Sequence, residues 1–211
     1  MEAQGVSIVI IIITVLISLQ AENNPAFKSK WIFNPYVIES RKEYYRFLSS
    51  GFIHGGSMHL IFNMFTLYFF AGYIETKYNG IYLGYGKFIF LAIYLAAIVV
   101  SSLPAYFKYK GNPAYNALGA SGGVSAIVFA FILCFPTVNL YLLFIPIPIP
   151  GFIMGAAYLF YSYYMAKRGN DNIGHEAHLF GALFGVATTI AFVPNVIPKF
   201  FEQLSNWGGF F

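Results

Sequence analysis

The chain has 211 residues, of which 58% are hydrophobic, 20% aromatic and only 9% charged. Soluble domains carry about 25% charged residues, so a water-wetted surface is excluded, and the apolar residues fall in the long blocks expected of membrane spans. The formal charge of +4 is dispersed through connecting segments, which excludes a nucleic-acid face, and the single cysteine, Cys134, excludes an intramolecular disulfide.

In chain order, Val6 to Leu19 is an apolar run preceded by Glu2 and by no Lys or Arg. It lacks the basic start of a secretory signal and reads as a retained first helix, about residues 6–20. A loop over residues 22–56 follows, mixing Trp31, Tyr44, Tyr45 and Phe47 with Lys28, Lys30, Arg41, Lys42 and Arg46. Aromatics interleaved with cations suit the headgroup zone, so this loop is expected to lie on the membrane. A catalytic core is expected over about residues 57–192. Its spans are predicted at about 57–76, 87–107, 121–135, 151–165 and 175–192. The span opening at Ser121 is short against the ~20 residues a crossing needs. Pro146, Pro148 and Pro150 precede the next one, and Pro194 and Pro198 close the last. The expected fold is an all-α, polytopic bundle of six transmembrane helices, forming one domain over residues 1–211. With the N-terminus cytoplasmic, nine of the twelve Lys and Arg residues fall on the non-cytoplasmic side, so the positive-inside rule favours the opposite orientation.

Polar groups within spans are costly, and three clusters stand out. His59 and Asn63, preceded by His54, are four apart, so they share one helix face with about 6 Å of axial rise between them. Two side-chain donors are thereby aimed at one point. Ser121 sits within Gly119-Ala120-Ser121-Gly122-Gly123, where backbones can approach closely and amides at a helix start are unpaired. The last span opens with His175-Glu176-Ala177-His178, and His178, Gly181 and Gly185 recur at intervals of three and four, the pattern of a tightly packed helix. Taken singly, the glycines read as packing, the serine as bonded to its own backbone and a histidine as an interhelical bond. Their joint occurrence in a chain with four histidines points to a site.

The pattern resembles the rhomboid intramembrane serine proteases from about residue 45 to residue 185. His59-x-x-x-Asn63, Gly119-Ala120-Ser121-Gly122 and Ala177-His178-x-x-Gly181-x-x-x-Gly185 appear in family order. His54 precedes His59 by five, Glu75 stands where the family often has a structural glutamate, and Tyr45-Arg46 replaces a common Trp-Arg. Members often carry an aromatic four residues after the nucleophile, stacked on the catalytic histidine; here that position is Ser125.

The resemblance implies a serine endopeptidase with Ser121 as nucleophile and His178 as base. His59, Asn63 and the Ser121 amide would form the oxyanion hole, and His54, Gly119, Gly122, Gly181, Gly185, Glu75 and Arg46 would play supporting parts. Glu176 is two residues from His178, which directs it away on a helix, so a dyad is expected. The implied substrates are single-pass membrane proteins in the lipid bilayer, and the implied location is a bacterial inner membrane, with the cavity facing the non-cytoplasmic side. Residues 169–174 are expected to cap that cavity and to move with the fifth helix. No cofactor, metal or nucleic acid is implied, and the oligomeric state is unknown.

The rival readings are specific. Gly119-x-Ser121-x-Gly123 satisfies a hydrolase elbow, but that motif needs a preceding strand and a soluble sheet. His175 and His178 have a workable zinc spacing, yet His-Glu-Ala-His lacks the two-residue insertion after Glu of a metalloprotease helix. A small transporter would show paired halves, and no second copy of either polar cluster is present. A catalytically inactive, substrate-binding member of the resembled family would usually lack the serine or the histidine, and this chain has both.

Overall fold

The structure is a computed structural model that describes residues 5–142, 145–168 and 174–209. A backbone in lipid must satisfy its own polar groups, so the apolar blocks fold as helices even where β-branched residues dominate. The first, α1 (Gly5–Asn23), buries Ser7, Ile10, Thr14, Ser18 and Ala21, whereas Val9, Ile12, Ile13, Leu16 and Leu19 point outward. Small and polar side chains inside with branched apolar ones outside suit a helix that packs closely on its neighbours and shows its bulk to lipid.

The loop over residues 22–56 is ordered as α2 (Pro25–Trp31), α3 (Pro35–Arg41), α4 (Arg46–Ser49) and a 3₁₀ turn at Ser50–Phe52. The first two helices start alike: Asn24 and Asn34 accept from the amides of Phe27 and Val37, and a proline follows each asparagine. Arg46 is buried and ties the loop together, donating to Glu43 Oε2 at 2.6 Å and to the carbonyls of Ser29 and Ile32 at 2.8 and 2.9 Å.

The core comprises α5 (Ser57–Ile81), α6 (Gly86–Tyr109), α7 (Ser121–Cys134), α8 (Gly151–Arg168) and α9 (His175–Phe192). Between α7 and α8 a hairpin pairs β1 (Asn139–Leu142) with β2 (Ile145–Pro150), and α10 (Val196–Ser205) ends the fold. α7 is the central post: Gly122–Cys134 is buried apart from Val128, against α5, α6 and α9. α8 lies outermost, against α9 and the hairpin, with a lighter contact to α7.

Glu75, 1% exposed, fastens α1 to α5. Its carboxylate accepts from the amides of Val6 and Ser7 at 2.9 and 3.0 Å and from Ser7 Oγ at 2.8 Å. A carboxylate at a helix start meets unpaired amides and the positive end of the helix dipole, so a buried charge is compensated there.

α1, α5, α6 and α8 extend beyond the expected spans, because backbone bonding continues past polar and charged residues, whereas α9 has the expected bounds and α7 ends one residue early at Cys134. On length and composition α1, α5 and α6 are long and apolar enough to cross a membrane, and α9 with α10 adds a fourth if that pair, bent by 106°, counts as one span. α7 has only 14 residues, but it is enclosed by protein and needs no lipid-facing length. Two elements differ from the sequence-based expectation. The proline-rich stretch forms the hairpin, and α10 continues past Pro198, which lies in its first turn, where a missing amide costs nothing.

Candidate active site

The segment entering α7 is hydrogen-bonded to the loop over residues 22–56 at three points, Phe33, Ser50 and His54. Phe33 and Ala117 exchange backbone bonds of 3.1 and 3.0 Å, and the Gly119 amide donates to the Ser50 carbonyl at 2.9 Å. The Ala120 amide donates to His54 Nε2 at 3.3 Å. Because that amide can only donate, Nε2 is the acceptor and Nδ1 carries the proton of His54. Nδ1 then donates to Ser18 Oγ at 2.9 Å, and Ser18 donates to the Phe52 carbonyl at 2.9 Å. Burial and the nearby His59 push the pKa of His54 down to about 3, which keeps this relay neutral. His54, a supporting residue in the sequence reading, thus fixes the residue immediately before Ser121.

Ser121 is the first residue of α7. Amides of a first helical turn have no intrahelical acceptor, so that of Ser121 is available to a ligand oxygen. Gly119 turns the chain into the helix at φ +117, and a Cβ there would lie 2.6 Å from His59 Cε1. Both the positive φ and the contact with the imidazole demand glycine.

α7 and α9 run parallel in close contact. A Cβ on Gly181 would meet the Gly122 carbonyl oxygen at 2.2 Å, and one on Gly185 the Ala126 oxygen at 2.2 Å. A Cβ on Gly122 would itself meet Ser101 Oγ of α6 at 2.0 Å. His178 lies one turn before Gly181 on α9, and Ser121 one residue before Gly122 on α7.

Ser121, His178, His59 and Asn63 all line one cavity of about 2000 Å³, bounded by α5 on one side and α8 on the other. Among the described residues α5 and α8 share at most a marginal contact. His59 stands edge-on to His54 with ring centroids 5.0 Å apart, and Asn63 Nδ2 donates to the His59 carbonyl at 2.9 Å. One amide hydrogen of Asn63 is thus taken by its own helix.

Glu176 also lines the cavity, but it pairs with Lys108 of α6 at 2.5 Å. That pair bridges α6 and α9. His175 is buried, 5.5 Å from Tyr161 and 5.9 Å from His178 by ring centroids. Among the described residues no three His, Cys, Asp or Glu side chains come together as a metal-holding group. The expected cap at residues 169–174 lies outside the described residues except for Gly174, which lines the cavity.

One site residue carries no sequence signal. The ring of Tyr158, on α8, is stacked on His178 at 6.1 Å with an interplanar angle of 24°, and its hydroxyl lies 2.8 Å from Ser125 Oγ. The aromatic missing at position 125 is replaced in space by one from another helix. Only the tertiary pairing of α8 with α9 reveals it.

The chain matches the family model described as Rhomboid domain over residues 41–195. It is 29% identical to RHOMBOID-like protein 12, mitochondrial, of Arabidopsis thaliana over 168 residues, covering 74% of this chain and 50% of that protein. Over 180 residues it is 27% identical to Presenilin-associated rhomboid-like protein A, mitochondrial, of Danio rerio, covering 78% and 38% of the two chains. Over 160 residues it is 25% identical to Rhomboid-related protein 2 of Mus musculus, covering 72% and 49%. The chain therefore spans half or less of the length of these relatives. The match over most of its own length has one meaning: this chain is an integral membrane protein belonging to the rhomboid family of intramembrane proteases.

Proposed function

We propose that this chain is an intramembrane serine endopeptidase working through a Ser121–His178 dyad. The observation that supports this most is the close crossing of α7 on α9 at Gly122 and Gly181, beside which both side chains line the same cavity. His178 takes the Ser121 proton as Oγ attacks the scissile carbonyl, and a tetrahedral oxyanion forms. The oxyanion receives hydrogen bonds from the Ser121 amide and from the side chains of His59 and Asn63. His178 next gives its proton to the departing amine, which breaks the peptide bond and leaves an acyl ester on Ser121. Water, activated in turn by His178, hydrolyses the ester and restores the serine. The Glu176 carboxylate is engaged by Lys108 and takes no part.

Six helices, α1 and α5 to α9, are embedded in this reading. The substrate is a single-pass membrane protein whose segment reaches the cavity between α5 and α8. It must unwind there, because a helical backbone hides its carbonyls. Two of the relatives carry mitochondrial names, and the bacterial inner membrane expected from the sequence gains no support from them.

The test is cleavage of a labelled single-pass substrate in proteoliposomes by wild type and Ser121→Ala. Wild type cleaves and Ser121→Ala does not. Equal cleavage by both removes the serine mechanism, and cleavage by neither leaves a binding protein. Activity in the presence of EDTA should be undiminished.

A further inference from the structure

On α7, Ser121, Ser125 and Phe129 are spaced by four and form one stripe. The lower two members of that stripe grip a residue of another helix. Ser125 Oγ lies 2.8 Å from the Tyr158 hydroxyl, and the Phe129 and Tyr158 ring centroids lie 5.6 Å apart. The Tyr158 ring so held lies nearly parallel to that of His178, 6.1 Å away. One turn further along α8, Tyr161 meets His175 edge-on. The face of α8 turned to α9 is therefore aromatic wherever α9 presents a histidine.

We propose that Tyr158 is a positioning residue for His178, locking the imidazole plane so that one ring nitrogen stays directed at Ser121; this rests on His178 being the base. An imidazole on a single Cβ–Cγ bond turns readily, and a flat ring against its face removes that freedom. The same face favours the imidazolium formed when Ser121 gives up its proton, because the ring quadrupole is negative there. Tyr158 itself exchanges no proton in this scheme. Its hydroxyl serves to hold the ring in place through Ser125. Since the ring is carried by α8, the base is aligned only while α8 lies against α7 and α9. A substrate that reaches the cavity beside α8 must leave this contact closed for chemistry to proceed.

The experiment measures kcat, KM and the pH dependence of kcat/KM on a transmembrane substrate, with thermal unfolding of each variant. Tyr158→Phe keeps the ring but loses the bond to Ser125, so its kcat should fall between those of wild type and Tyr158→Ala. Tyr158→Ala should lower kcat by about 10- to 100-fold, as misplaced catalytic groups do, with KM little changed and the pH limb of His178 displaced. Ser125→Tyr combined with Tyr158→Ala carries the ring on α7 instead, one turn below Ser121, and should restore most of the lost kcat. A Tyr158→Ala protein that unfolds like wild type with unchanged kcat and pH profile overturns the proposal, as does a loss confined to KM. If Tyr158→Ala does not fold, Tyr158→Leu, which keeps bulk without an aromatic face, decides by the same readouts. Ser121→Ala runs in parallel. Cleavage by that variant removes the protease reading itself, whereas an inactive Ser121→Ala beside fully active Tyr158 variants removes only the role of Tyr158.

Discussion

Gly181 of α9 rests on the backbone of Gly122 in α7, so that a methyl group added to it would sit 2.2 Å from the Gly122 carbonyl oxygen. Backbone cannot move aside as a flexible side chain can, and the two helices would have to separate. Overpacking of this kind costs about 1–3 kcal/mol, and a shift of ~1 Å at a reacting centre costs ~10²-fold in rate. Gly181→Ala should therefore unfold at a lower temperature and cleave about 100-fold more slowly at temperatures where it is folded. Wild-type kcat in this variant would mean that the crossing does not set the distance between Ser121 and His178.

His59 and Asn63 are proposed to act on the oxyanion and not on the resting substrate. Alanine at either position should lower kcat by ~10²–10³ while leaving KM nearly unchanged. Steady-state kinetics in proteoliposomes measures both constants. A rise in KM alone would move these residues from transition-state stabilisation to substrate binding.

His54 makes stability depend on acidity. Its pKa in the folded protein is about 3, against an ordinary value of 6.5. On acidification the unfolded chain takes up a proton below pH 6.5 that the fold refuses until about pH 3, so stability present above pH 6.5 is lost across that window. The slope from one such group is at most about 1.4 kcal/mol per pH unit. His54→Gln should be less stable than wild type at pH 7 but lose less on acidification, so the two unfolding-temperature curves converge as pH falls. Parallel curves would show that His54 does not hold the Ala120 amide as a neutral ring.

The carboxylate of Glu75 accepts two amides and a hydroxyl from the start of α1. Hydrogen bonds to a charged group contribute about 1.5–3 kcal/mol each, and their loss leaves buried donors unpaired. Glu75→Ala should be several kcal/mol less stable and should become sensitive to proteolysis between α1 and α2. Resistance equal to wild type would mean that α1 is held by packing alone.

Much of this architecture is visible in the sequence, for physical reasons that differ by element. Apolar blocks mark the spans because lipid offers the backbone no alternative partner, and polar residues inside them stand out because they are costly there. The starts of α2 and α3 are encoded too, in Asn24-Pro25 and Asn34-Pro35, an N-cap followed by a first-turn proline. Pro198 reads as a stop, although a proline in a first turn continues a helix, and α10 is missed on that account. The alternation from Ile145 to Pro150 is a period-two pattern, hidden by the reading of proline as a breaker. Tyr158 is the residue no pattern exposes. It belongs to a helix with several tyrosines, and only the packing of that helix on α9 shows that it is Tyr158 that meets His178, while Tyr161 meets His175.

The most direct measurement is the mapping of a fluorophosphonate adduct by mass spectrometry of the purified protein in detergent. Such a probe forms a covalent bond only with an activated hydroxyl. The adduct should be found on Ser121 in wild type and should be absent from His178→Ala, with both proteins folded by thermal unfolding. Equal labelling of Ser121 without His178, or an adduct on a different residue, would contradict the dyad.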